Sequence, residues 1–183
     1  LKAAEILQDN CKGLILLDCA QRTMDDKRLK KNDVLMNFLR PVIKTLVSKR
    51  FISNNLFKRA ANPKTIKQIL KQAYPSGTNI DEELIQILYK PSQRSSSAEA
   101  FRGFINLFDD YLATDLFDKV STDIHLIWGE KDPWESLNEA KEWKDKFQNI
   151  KSLYVLKNIG HCPHDESPEE TNKLILNIVH DTK

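Results

Sequence analysis

The hydrophobic and polar positions along the chain divide into short apolar runs and longer segments with helical spacing. The apolar runs lie at 13–19, 124–129 and 152–157, and each is typical of a short strand buried on both faces. Helical spacing of apolar residues occurs at 1–8, at 136–147 and after 167, so that helices alternate with these strands. This alternation predicts an α/β fold in which three parallel strands are covered by helices.

The residues between the first two predicted strands contain helical patches and no convincing strand. The patches lie near 32–47, 63–73, 81–89 and 96–112, and Pro63, Pro75 and Pro91 are expected to mark boundaries. An all-helical insertion between two strands of a parallel sheet is typical of a cap. We therefore divide the chain into a helix and strand at 1–20, a helical cap at 21–112, whose end could return to the core, and a C-terminal core at 113–183.

Charge is distributed unevenly although the net charge is only +2. The segment 22–71 carries fourteen Lys and Arg against three Asp, an excess of +11 that leaves −9 for the remaining residues. Such asymmetry would attract an anionic ligand or partner, or it reflects the solvated faces of helices. No aromatic residues are interleaved with the basic ones in a nucleic-acid motif, so no nucleic-acid binding is predicted.

The remaining bulk features exclude other classes of protein. The longest aliphatic run covers only 14–17, and no membrane-spanning helix is predicted. Three scattered cysteines are too few for a disulfide framework and favour reduced thiols in an intracellular protein. We expect a cytoplasmic location, or a plastid one if the source is a photosynthetic eukaryote.

Two predicted strands end in residues that suit acid–base chemistry. The second strand leads through Gly129 to Asp132, and the third leads through Gly160 to His161. Because ligands bind beyond the carboxyl ends of parallel strands, the sequence favours a carboxylate that orients a histidine for general-base work. Either residue alone would also fit an ordinary turn.

The neighbouring candidates are weaker. Glu130 lies two residues closer to the strand and is a poorer candidate for the acid. Asp165 and Glu166 are expected to fix the turn before the last helix. His164 and Cys162 beside His161 lack a second ligand group at zinc spacing, so no metal site is predicted.

The two turns resemble those of a known superfamily. LIWGEKDPW resembles the G-x-x-D-P turn of α/β-hydrolases, and GHCPHDESPE resembles the turn that carries their catalytic histidine. The resemblance implies that Asp132 is the acid and His161 the base, and their order and spacing also match the family. It covers almost the whole chain, as the C-terminal portion of such a hydrolase, and is nearest to pheophytinase-like hydrolases of cyanobacteria and plant plastids.

The nucleophile of that family is not in this chain. G-x-S-x-G needs two glycines four residues apart, and none of the five glycines satisfies this spacing. No capping residue precedes the helix at 1–8, so we expect the chain to begin inside a helix, with the nucleophile upstream of Leu1. The chain by itself is expected to be inactive, and its open sheet edge is expected to promote self-association.

The resemblance implies hydrolysis of a small hydrophobic ester or related carbonyl substrate, without a cofactor. Trp134 is a candidate for substrate binding beside Asp132, as is Phe104 in the cap, although both equally suit simple packing. Other apolar cap residues, including Phe38, Leu39, Phe101 and Phe108, share that ambiguity. A haloalkane-dehalogenase-like enzyme, a carbon–carbon bond hydrolase and a non-catalytic binding protein remain as alternatives.

Overall fold

The computed structural model describes residues 1–19, 42, 45–46, 48–103 and 111–181, together with the backbone of 104 and 105. These residues form two compact units. The first comprises Leu1–Gln21, Leu70–Asn79 and Tyr111–Lys183, and the second comprises Arg22–Ile69 and Ile80–Asp110. Within the described residues, no helix is long and apolar enough to cross a membrane.

The first unit is built on a parallel sheet in the order β1–β2–β3. The strands are β1 (Leu14–Leu17), β2 (Ile124–Gly129) and β3 (Ile150–Leu156). Leu126 in β2 pairs with Leu16 on one side and with Leu153 on the other. The predicted α/β class and its three parallel strands are confirmed.

Helices cover both faces of the sheet. Alternate residues of β2 point to opposite faces and pack against different helices. Leu126 and Trp128 pack in a cluster with α1 (Lys2–Leu7) and α6 (Leu137–Lys146). Ile127 packs on the other face, against α8 (Pro168–Asp181). The central strand is therefore buried on both faces, as its continuous apolar sequence predicts.

β1 is the less buried partner of this sheet. All four of its apolar residues are only partly buried. In α1, Ala4 is buried, whereas Ala3 and Leu7 are exposed. The apolar surface at this edge of the sheet is thus incompletely covered.

In the described residues from 50 to 105, the second unit contains three helices and most of a fourth. They are α2 (Arg50–Ala60), α3 (Pro63–Ala73), which crosses into the first unit at Leu70, α4 (Glu82–Ser92) and α5 (Ser97–Ile105). Phe57 in α2 packs against Phe101 in α5 with ring centroids 5.1 Å apart, and Arg50 pairs with Glu99 between the same helices.

Several sequence predictions need correction here. α2 was not predicted, because the polar pair Asn54–Asn55 interrupts its apolar spacing and favours turns. Of the helix expected at 96–112, the structure describes α5, and residues 111 and 112 are not helical. Pro91 lies inside the last turn of α4. A short helix, α7 (Pro163–Glu166), precedes α8. The helix expected at 32–47 lies almost wholly outside the described residues.

The two units differ from the predicted domains by one or two residues at each boundary and by a whole segment at 70–79. Leu70–Asn79, which fall within the predicted cap, belong to the first unit. The physical reason is a set of hydrogen bonds that fasten Ala73, Tyr74 and Ser76 to the turn after β3, as described below. The role of the second unit as a cap stays a prediction.

Candidate active site

The turn that follows β2 is held against the end of β3 by backbone hydrogen bonds. Glu130 N donates to Leu156 O at 3.0 Å, and Lys131 N donates to Ile159 O at 2.9 Å. Asp132 N closes the turn by donating to Gly129 O at 3.2 Å. The turn bearing Asp132 therefore lies beside the turn that leads to His161.

Two glycines allow this close approach. A Cβ atom at Gly129 would lie 1.9 Å from Gly160 O, and one at Gly160 would lie 2.1 Å from Ala73 O. Both distances are far below van der Waals contact with backbone atoms, which have little freedom to move. The glycine before each turn is thus required by packing and not by a positive φ.

Residues from far away in sequence fasten the histidine turn. His161 N donates to Ala73 O at 2.9 Å. The buried carboxylate of Glu166 accepts from Gly160 N at 2.6 Å and from Ser76 N at 2.9 Å, and it also accepts from the Ser76 hydroxyl. These bonds fix the backbone on both sides of His161.

A second pair of contacts supports the same turn. Tyr74 Oη donates to Asp165 Oδ2 at 2.7 Å, and Asn79 donates to Asp165 O. Burial and this neighbouring carboxylate raise the pKa of Tyr74, so the phenol remains a hydrogen-bond donor. Asp165 and Glu166 fix this turn, as the sequence suggested, but their partners at 74–79 were not foreseen.

Asp132 and His161 meet at the end of the sheet. His161 Nδ1 lies 2.7 Å from Asp132 Oδ2. Asp132 Oδ1 accepts from Trp134 N at 2.8 Å and from Glu135 N at 3.1 Å. The Asp132 side chain is wholly buried, whereas that of His161 is 23% exposed. The structure therefore brings together the two residues that the sequence singled out.

Electrostatics favour the charged form of Asp132. Burial alone would raise its pKa, but the hydrogen bonds from His161 and from the backbone of Trp134 and Glu135 together lower it below its ordinary value of 3.8. A carboxylate at this position accepts a hydrogen bond from the proton on Nδ1 and so holds the imidazole in one orientation. The other ring nitrogen, Nε2, then carries no proton and is able to accept one.

Trp134 lies beside this pair. Its ring contacts the His161 ring edge to face, with centroids 4.8 Å apart, and the residue is 39% exposed. It also lines a shallow hollow with Pro133 and Leu137. The side chain of Phe104 lies outside the described residues, as do Phe38, Leu39 and Phe108.

Glu130 and the other three histidines lie in different surroundings. Glu130 accepts from Asn158 N at 3.1 Å and so joins the two turns. His125 Nδ1 is paired with Ser152 Oγ at 2.8 Å within the sheet. His164 and His180 are exposed.

Sequence reasoning missed Asp18, which follows β1 directly. The residue is 3% exposed, and its Oδ1 accepts from Gly129 N at 3.0 Å. Burial, together with the nearby carboxyl groups of Asp132 and Glu135, raises the pKa of Asp18 to about 9 although the Gly129 hydrogen bond lowers it. A signal was present in the sequence: a lone carboxylate ends an apolar strand whose neighbours also end in candidate residues.

The geometry can be compared with known proteins. A thermophilic esterase from Thermogutta terrifontis matches 93% of this chain and 56% of its own, with a TM-score of 0.59 and 19% identity. A meta-cleavage product hydrolase from Pseudomonas fluorescens matches 67% of this chain and 47% of its own, with a TM-score of 0.55 and 14% identity. The likeness to these structures shows the α/β-hydrolase fold, and the part of it present agrees with a C-terminal portion.

The chain is also similar in sequence to a curated plant protein. Chloroplastic pheophytinase from Arabidopsis thaliana is 27% identical over 128 residues, which cover 68% of this chain. The match spans 26% of that protein, whereas the chain spans about half of the solved structures above. No protein-family model matches the chain.

Proposed function

We propose that this chain supplies the acid and the base of a serine-type α/β-hydrolase that cleaves a hydrophobic ester or related carbonyl compound. The observation that carries the proposal is the 2.7 Å hydrogen bond between Asp132 Oδ2 and His161 Nδ1 at the carboxyl end of a parallel sheet. The similarity to pheophytinase, over a segment that includes most of the chain, supports hydrolase chemistry.

In the proposed mechanism, His161 Nε2 accepts the proton of a serine hydroxyl as that oxygen attacks the substrate carbonyl. Asp132 fixes the tautomer of His161 and stabilises the imidazolium that forms. The tetrahedral intermediate collapses when His161 returns the proton to the leaving group, giving an acyl-enzyme. Water activated by the same histidine then releases the acid.

The serine is proposed to lie upstream of Leu1. Ile6, Leu7 and the whole of β1 retain exposed apolar surface, which a preceding strand and its turn would cover. Trp134, in contact with the His161 ring, is proposed to line the substrate site. The role of Phe104 in substrate binding stays a prediction. The cytoplasmic or plastid location stays a prediction.

The test compares this chain with the same chain extended by the residues encoded before Leu1. The extended protein should hydrolyse a p-nitrophenyl ester and react with a fluorophosphonate, which labels activated serines. His161→Ala should reduce kcat by about 10⁶-fold and Asp132→Asn by about 10⁴-fold. An aspartate in place of the serine would redirect the proposal to a dehalogenase-like enzyme.

Two controls complete the test. His164→Ala, an exposed histidine in the same turn, should leave the rate unchanged. The chain that begins at Leu1 should be inactive, and ester hydrolysis by it that His161→Ala abolishes would show that the nucleophile is not upstream. Extended protein that lacks hydrolytic activity and fluorophosphonate labelling would favour a binding protein.

A further inference from the structure

Asp18 has a strained and buried position at the carboxyl end of β1. Its φ of +37° lies in the left-handed region, which costs free energy for a residue with a side chain. Its backbone N nevertheless continues the sheet by donating to Ile127 O at 3.0 Å. A buried carboxyl group held in a strained conformation needs compensating interactions, and these lie at the candidate active site.

The two oxygens of Asp18 have different surroundings. Oδ1 accepts from Gly129 N, the residue from which the turn bearing Asp132 begins. Oδ2 is buried and has no hydrogen-bond donor among the described residues. The Asp132 side chain interacts with the Asp18 carboxyl group, and this interaction is one of the causes that raise the pKa of Asp18. Two carboxylates cannot share a hydrogen bond unless one of them carries a proton.

The surroundings decide which of the two carries it. Asp132 receives hydrogen bonds from His161, Trp134 N and Glu135 N, all of which stabilise its negative charge. Asp18 receives one, from Gly129 N, and the groups that act on it are the carboxyls of Asp132 and Glu135. Placing a second negative charge beside Asp132 in a buried site would be the costlier arrangement.

We propose that Asp18 is a positioning residue that keeps its proton at neutral pH and donates it in a hydrogen bond to the Asp132 carboxylate. Asp132 then has a donor on the side facing β1 in addition to those from its own turn and from His161. The carboxylate would be held from three directions, which fixes the orientation in which it meets the imidazole. The protonation of Asp18 does not depend on the proposed function, whereas its positioning role rests on the proposed function.

The pKa of Asp18, raised to about 9, agrees with this assignment. A raised carboxyl pKa means that folded protein binds more protons than unfolded protein between about pH 4 and pH 9. Stability linked to Asp18 is therefore greatest below that range and falls as the pH rises through it. Relative to Asp18→Asn, the unfolding equilibrium constant should increase by up to about tenfold per pH unit in this window.

The direct test is a titration of side-chain carboxyl ¹³C shifts by NMR in the wild type and three variants. In the wild type, Asp18 should be protonated at pH 7. Asp18→Asn, whose amide can donate to Asp132 and accept from Gly129 N, should leave the pKa of Asp132 unchanged. Asp18→Leu fills similar volume without a donor and should raise that pKa. Asp123→Asn, an exposed carboxyl at the opposite end of β2, is the control.

The same titrations can also contradict the proposal. An ionised Asp18 at pH 7, or a fall in the pKa of Asp132 in Asp18→Asn, would overturn the proposal, because both indicate a second charge beside Asp132. If Asp18→Leu fails to fold, the wild-type and Asn titrations still decide the matter.

The functional test uses the extended protein. Asp18→Leu should lower kcat by roughly tenfold with little change in KM, as expected for one hydrogen bond to Asp132, and Asp18→Asn should restore most of the loss. Equal kcat in Asp18→Leu and wild type would refute the positioning role. If the wild type itself is inactive, the proposed function fails, whereas the titration still reports on the Asp18 proton.

Discussion

Glu166 offers the sharpest test of how the histidine turn is held. Its side chain belongs to a residue only 4% exposed and accepts hydrogen bonds from Gly160 N, Ser76 N and the Ser76 hydroxyl. Glu166→Ala would leave two backbone N–H groups without their acceptor. At about 1–3 kcal/mol for each unsatisfied donor, we expect a loss of about 4 kcal/mol in the free energy of unfolding.

Glu166→Gln refines this estimate. One amide oxygen can still accept a hydrogen bond, but the amide NH₂ would face the other donor, so a loss of about 2 kcal/mol is expected. Either loss is a large share of the stability of a typical domain, about 5–15 kcal/mol. The order Ala, Gln, wild type should therefore be visible in equilibrium unfolding.

The assay is urea unfolding followed by tryptophan fluorescence, because Trp128, Trp134 and Trp143 all lie in the unit that contains Glu166. Glu169→Ala is the matched control, since Glu169 is an exposed acidic residue three positions away. Its effect should stay within about 0.5 kcal/mol. If Glu166→Ala and Glu169→Ala shift the unfolding midpoint equally, Glu166 does not hold the turn.

Three further predictions follow from the same geometry. Gly129→Ala should lower the free energy of unfolding by about 3 kcal/mol, because its Cβ would lie 1.9 Å from Gly160 O. Gly103→Ala, whose Cβ would meet nothing within 4 Å, should instead stabilise α5 slightly. Thermal unfolding of the two variants compares these effects. The lowered pKa of Asp132 stabilises folded protein above its ordinary value of 3.8, and this contribution is lost as the pH falls through the folded pKa. Acid unfolding below about pH 4 should therefore be steeper in wild type than in Asp132→Asn. Finally, the partly exposed β1 should promote self-association of the chain that begins at Leu1, and a monomer in analytical ultracentrifugation would count against this.

The sequence predicted the sheet because its strands are short, apolar and separated by helices. β2 was placed at 124–129, where the structure has it, since it is a continuous apolar run closed by glycine. β3 begins two residues earlier than expected, at Ile150, because the exposed Lys151 interrupts the apolar run there. Predictions for α2 and for the ends of the helices failed where polar residues or prolines occupy helical positions.

Asp132 and His161 could be predicted because each follows a strand through a short turn, so that local sequence is enough to place them. The support of His161 could not be predicted in the same way. Ala73 and Ser76 lie about ninety residues earlier in the chain, and no periodicity or motif links them to the histidine turn. Contacts of that kind depend on how a connecting segment returns to the core.

The three strand ends together explain why the site has two kinds of carboxyl group. β1, β2 and β3 run parallel, so Asp18, Asp132 and His161 emerge at the same edge of the sheet. The hydrogen bond between Asp132 and His161 favours a negative charge on Asp132, and that charge in turn opposes ionisation of Asp18. One carboxyl group can then act as an acceptor for the imidazole while its neighbour acts as a donor. The arrangement follows from parallel topology and burial. Under the proposal, the protonation state of Asp18 reports whether Asp132 receives a hydrogen bond from Asp18 in addition to the one from His161.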